Sequence, residues 1–134
     1  MTSLHDKFMD FLLKKPATSG QARAFLEKAC SDESVIDALM LEAEDAGLVD
    51  DGAYARLFVE GHLQWGNLKI AHELKMRGVS RGDIDEALSE AEDETERARE
   101  IAESLRKSGV EDRKIASRLM SRGFTNRAVR SAMG

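Results

Sequence analysis

The sequence predicts an all-α protein built from three tandem three-helix repeats that form an elongated, curved array. Three observations carry that expectation: a helix-favouring composition, apolar side chains returning at helical spacing, and an internal repeat. Ala, Leu, Glu, Lys, Arg and Met dominate, aromatic residues make up 5%, and Pro16 is the single proline. Straight-chain side chains lose little rotamer freedom in a helix, and a lone proline between two helical patterns interrupts neither. The 134 residues allow one or at most two ordinary domains, and 42% hydrophobic with 34% charged residues suits a folded chain rather than a disordered one.

The apolar spacing is helical throughout. Leu4, Phe8, Phe11 and Leu12 share one face. Ala22, Phe25, Leu26 and Ala29 follow the i, i+3, i+4, i+7 template, as do Ile36, Leu39, Met40 and Ala43, and again Ile84, Ala87, Leu88 and Ala91. Val129, Ala132 and Met133 give a shorter copy. Gly47, Gly78, Gly109 and Gly123 each follow such a run, where a helix ends on a left-handed residue. Ser80 through Asp83 reads as a capping box with Asp83 in place of the usual Glu, and Asp50 or Asp51 caps a helix beginning near Ala53. The expectation is about nine helices and no strand.

The internal repeat sets the organisation. The stretch from Leu74 to Leu88 aligns without a gap on the stretch from Leu119 to Met133, so that Arg77-Gly78 meets Arg122-Gly123, Ser80 meets Thr125 and Ile84 meets Val129. A fainter copy lies upstream at Leu26, Cys30, Asp32, Ile36, Leu39 and Met40, with Cys30 in the glycine position. The expected units are 3–46, 50–91 and 93–134, a period in the range of helical repeat arrays.

At this point a family resemblance is legible. Gly47-Leu-Val-Asp50-Asp51-Gly-Ala-Tyr54-Ala55, followed by Ile70-Ala-His-Glu73-Leu74-Lys-Met-Arg77-Gly78-Val79, resembles the RecX family of bacterial recombinase regulators. The closing run from Ile115 to Phe124 is similar to that family's third repeat. The resemblance implies a three-helix tandem repeat that binds the RecA nucleoprotein filament in its helical groove and inhibits strand exchange and ATP hydrolysis. It also implies no catalytic activity and no cofactor, and a place in homologous recombination, DNA repair and the SOS response. Where the family usually carries a basic Arg/Lys-Gly segment in the middle repeat, this chain reads Leu63-Gln64-Trp65-Gly66-Asn67.

Charge locates the candidate site. Net charge is −5 overall, yet residues 1–52 carry 5 basic and 11 acidic side chains while residues 93–134 carry 10 and 7. From Ser104 onward 8 basic side chains face only Glu111 and Asp112. Lys114, Arg118 and Arg122 recur every fourth residue and therefore form one ridge, about 12 Å long at 1.5 Å per residue. Arg113 flanks the ridge, Arg127 and Arg130 follow on the next helix, and Lys69 and Arg77 occupy the equivalent positions of the middle repeat. A ridge of cations suits filament-bound DNA, bare DNA or an acidic protein surface, and charge alone does not separate the three. Stand-alone nucleic-acid binding and an adaptor for another acidic protein are therefore the alternative functions. Trp65, in a polar inter-helix turn, is either a contact residue or a lid over a repeat junction.

The remaining residues point to no reaction. Asp50 and Asp51 lack the converging oxygen ligands a metal needs and read as helix caps. His5, His62 and His72 have neither ligand spacing nor a neighbouring nucleophile, and Tyr54, Phe58 and Phe124 fall at apolar positions. A single cysteine, Cys30, makes neither an intrachain disulfide nor a multi-cysteine zinc site, and suits a reducing compartment. No glycine-rich phosphate loop or hydrolase motif occurs, no apolar run is long enough to span a membrane, and the N-terminus lacks a signal-peptide pattern. The expectation is a cytoplasmic monomer that is not an enzyme.

Overall fold

The structure, a computed structural model, describes residues 2–134. Nine helices and no strand occur among them: α1 (Leu4–Lys14), α2 (Ser19–Ala29), α3 (Glu33–Asp45), α4 (Asp51–Glu60), α5 (Asn67–Met76), α6 (Arg81–Glu90), α7 (Glu94–Lys107), α8 (Asp112–Ser121) and α9 (Asn126–Met133). They associate in threes. Phe8, Leu12, Ala22, Leu26, Ile36 and Met40 close the first core; Ala55, Phe58, Ile70, Leu74, Val79 and Ile84 the second; Ala98, Ile115, Leu119, Phe124 and Val129 the third. Leu26, Leu74 and Leu119 are fully buried at matching positions of the three cores. The protein is thus an all-α helical repeat array. Its accessible surface is 8372 Å², against about 7000 Å² for a compact monomer of this mass. That excess is expected when three small cores stand in line instead of merging.

Local chemistry sets the helix ends. The third helix of each triplet starts at an N-cap whose side-chain oxygen accepts a backbone N–H, namely Asp32, Ser80 and Thr125, 48 and 45 residues apart. Gly78 and Gly123 take φ of +88° and +85°, the left-handed conformation expected of a glycine after the second helix. Cys30 differs: it ends α2 in an extended conformation (φ −152°), so the first triplet closes without a left-handed residue. Asp83 also differs from expectation. Its carboxylate accepts the Ser80 hydroxyl (3.1 Å), and the Ser80 hydroxyl in turn accepts the Asp83 N–H (3.3 Å). The complete capping box lies at Thr18 and Gln21, where each side chain accepts the other's backbone N–H.

Two narrow polar seams join the triplets, and they are built alike. Asp50 caps α4, as the sequence predicts, but Asp51 reaches back to the first triplet and accepts the Ser19 backbone N–H (2.7 Å) and hydroxyl (2.5 Å). Glu94, likewise the first residue of α7, accepts the Asn67 N–H (3.1 Å) and, with both oxygens, the Thr125 N–H and hydroxyl. In each seam a carboxylate at one helix N-terminus therefore satisfies an orphan amide of the preceding triplet's middle helix. The Arg-Gly turns supply the other half. The Thr18 hydroxyl donates to the Arg77 carbonyl, and the Gly66 and Leu68 amides donate to the Arg122 and Gly123 carbonyls (2.7 and 3.0 Å). A β-carbon on Gly20 would come within 2.9 Å of the Gly78 Cα, and one on Gly66 would overlap the Phe124 backbone.

Candidate interaction surface

The second seam carries one further residue that orients everything C-terminal to it. Arg97, 3% exposed, donates from Nη1 to the carbonyls of Leu63 (3.0 Å) and Trp65 (2.5 Å) and from Nη2 to Asn67 Oδ1 (2.7 Å). Its Nε donates to the Glu92 carbonyl (3.0 Å), and its guanidinium lies 5.7 Å from the Phe124 ring centre. Burial pushes its pKa down while Glu94, Glu92 and Asp93 hold it up, and a guanidinium so placed stays charged. Sequence inspection does not single out Arg97, because nothing in a charged helix marks which cation turns inward.

From that seam α8 projects with Ile115 and Leu119 buried in the third core, which leaves Lys114 and Arg118 on the exposed side. Arg122, the C-cap residue, is half-buried because its carbonyl accepts the Gly66 N–H. Arg113 is exposed about 100° round the helix from Lys114. Arg127 and Arg130 are exposed on α9, where Arg127 lines a cleft with Asn67, Asp93, Glu94 and Thr125.

Few of the protein's cations are paired. Arg23 meets the carboxylates of Glu33 (2.6 Å) and Asp37 (3.0 Å), and Arg81, Arg99, Arg106 and Lys107 each meet one carboxylate. Among the described residues no ion pair involves Arg113, Lys114, Arg118, Arg122, Arg127 or Arg130. These six cations of α8, its C-cap and α9 therefore meet no carboxylate within ion-pair distance, in contrast to Arg106 and Lys107 just before them.

The middle-triplet candidates are placed differently. Lys69 is half-buried on α5 with its Nζ 4.3 Å from the Trp65 ring centre, and its backbone lies against Gly123. It stands at the same seam as Arg122. Arg77 is engaged internally: Nη1 donates to the Tyr54 hydroxyl (2.7 Å) and the guanidinium lies 4.8 Å from the Phe58 ring centre. Trp65 is half-buried against the second core, 4.4 Å from the His62 ring and edge-on to Phe58. Its indole is packed as a cover over that core, with Lys69 as its polar contact. No cluster of His, Cys, Asp or Glu fit to hold a metal occurs among the described residues.

The helical array is similar to known proteins. Residues 50–88 match the family described as RecX, second three-helix domain. A regulatory protein RecX from Halorhodospira halophila is 33% identical over 138 residues, covering 97% of this chain and 86% of the relative. The chain belongs to the RecX family. A RecX regulatory protein from Streptomyces coelicolor is 32% identical over 133 residues, covering 88% of this chain and 71% of its own length. The crystal structure of RecX from Lactobacillus salivarius superposes with a TM-score of 0.84 at 21% identity, covering 96% of this chain and 91% of that one. Family membership makes this chain a regulatory protein in the setting of recombination and DNA repair. The Arg-Gly pattern at Arg77-Gly78 and Arg122-Gly123 is, in the structure, the surface on which the second and third triplets receive the one before.

Proposed function

We propose that this protein docks on a RecA nucleoprotein filament as a monomer in the cytoplasm, bridges neighbouring subunits and inhibits recombinase activity without catalysis of its own. The three triplets, taken as units 3–46, 50–91 and 93–134, act as a linear ruler along the filament. Lys114, Arg118 and Arg122 form the contact ridge, with Arg113 beside it, Lys69 across the seam, and Arg127 and Arg130 on the adjoining helix. Arg77 and Trp65 hold the middle triplet that carries Lys69 to this position. One observation carries the reading: Arg113, Lys114, Arg118, Arg127 and Arg130 are all exposed on two adjoining helices, and no ion pair involves any of them among the described residues. Such a field suits DNA phosphate exposed in a filament groove.

The test is a double reversal, Lys114→Glu with Arg118→Glu. Both side chains are exposed, so the variant should melt within about 1 kcal/mol of the native protein. It should lose inhibition of RecA-driven ATP hydrolysis, while Lys7→Glu with Lys28→Glu keeps it. Each lost phosphate contact should flatten the slope of log K against log [salt] by about 0.9 for duplex or about 0.7 for single strands. A folded double variant that inhibits at the native concentration would reduce the ridge to a solvated face. Equal binding to bare DNA and to filament would favour the stand-alone nucleic-acid reading.

A further inference from the structure

The first seam opens on the surface as an apolar groove that the ridge-based reading does not use. It runs between the end of α1 and the outer face of α4, a cleft of about 390 Å³ continuous with a second of about 270 Å³ through Lys15, Pro16, Tyr54 and Leu57. Leu13 and Leu57 line it while 70% and 68% exposed, a costly arrangement for two large aliphatic side chains in water. The floor is rigid. The Tyr54 hydroxyl accepts from Arg77, and the Tyr54 ring stacks parallel to Phe58 at 6.5 Å. Charge then marks the rim. Residues 1–52 carry only 5 cations against 11 carboxylates, and two of the five, Lys14 and Lys15, stand at this groove. Arg23, in the same triplet, is consumed by carboxylates, whereas no ion pair involves Lys14 or Lys15 among the described residues. The lining carries one carboxylate, Asp50, which accepts the Ala53 N–H as a helix cap, against the two lysines.

We propose that this groove is a docking site for an acidic protein segment carrying bulky apolar side chains, which would fill the cleft between Leu13 and Leu57 while its carboxylates meet Lys14 and Lys15. A second copy of this chain is the poorer occupant: a two-fold pairing would face one concave groove with another and set the two lysine pairs against each other. A nucleic acid would leave the aliphatic floor uncovered. The site lies in the first two triplets and is independent of the ridge on α8.

The experiment uses the full chain and no recombinase. A random-peptide phage library is selected on the native protein and, in parallel, on the Leu57→Asp and Lys14→Glu/Lys15→Glu variants. All substituted positions are exposed, so melting curves should coincide. Selection on the native protein should enrich peptides with Asp or Glu beside Leu, Ile or Phe. Fluorescein-labelled copies of the enriched peptides should bind tenfold or more weakly to either variant and lose affinity as salt rises. The Lys114→Glu/Arg118→Glu variant should bind them like the native protein. Three results would each overturn the proposal: no enrichment, an enriched consensus that is basic or purely polar, or binding unchanged in both groove variants. Concentration-dependent doubling of mass that Leu57→Asp abolishes would assign the groove to a second copy instead.

Discussion

Arg97 shows how much a single side chain can decide. Its guanidinium spans the second seam, binding two carbonyls and a side-chain amide of the middle triplet from a helix of the third. Replacing it with Met keeps much of the volume but leaves the Leu63 and Trp65 carbonyls without that donor. Arg97→Met should therefore cost about 2–4 kcal/mol in urea denaturation. Arg97→Lys, a single point charge without the planar fork, should recover only part of that. A Met variant as stable as the native protein would mean that the cost of burying the guanidinium cancels its hydrogen bonds, and the strap would contribute nothing. His5 illustrates the opposite limit. Its hydrogen bond to Glu42 (2.9 Å) ties α1 to α3 and raises its pKa, yet both groups are solvent-exposed and screened.

At the scale of elements, glycine separates backbone demand from packing demand. Gly109 and Gly123 end α7 and α8 in the same left-handed conformation, with φ of +84° and +85°. A β-carbon on Gly109 would meet nothing within 4 Å, whereas one on Gly123 would run into Lys69. Gly109→Ala should thus cost about 1 kcal/mol, the penalty of the left-handed backbone alone. Gly123→Ala should cost at least about 1 kcal/mol more, because the two triplets must part to admit the methyl group. Equal losses in thermal melts would show that the seam yields freely. The conformation of these glycines is legible in the sequence, since each follows an apolar-periodic helix. The close approach of Gly66 to the Phe124 backbone is not, since the partner lies more than fifty residues away. That contact also gives a physical reason for Gly66 at a position where the helix has no side-chain cap.

For the whole molecule, three separate cores in sequence predict an extended particle. A compact chain of this length has a radius of gyration of about 14 Å, and small-angle scattering on a dilute monomer should give a clearly larger value. A result at the compact figure would mean that the triplets fold back on one another in solution, and the linear-ruler reading would lose its geometry. The seams make the extended form plausible energetically. Each relies on hydrogen bonds and close glycine contacts instead of a shared apolar core, so the repeats are coupled without being merged.

Where the helices lie and where glycines end them is decided by chemistry that acts within a few residues, and the sequence alone determined it. Apolar side chains at i, i+3, i+4 and i+7 specify a buried face wherever the helix packs, and a glycine after such a run specifies its end. The basic character of the C-terminal third was equally legible, because net charge is additive along a chain. Which of its cations remain unpaired was decided only by the tertiary structure. The sequence does not tell apart the roles of Arg77, Arg97 and Arg118: one stacks on Phe58, one is buried as a strap and one is exposed, because each outcome depends on partners supplied by the fold. The same holds for Asp51, which sequence reads as a helix cap and the fold uses to hold Ser19, and for the Leu13–Leu57 groove, whose two walls come from different repeats. Local periodicity dictates what each helix buries; only the assembled array dictates what it leaves for a partner.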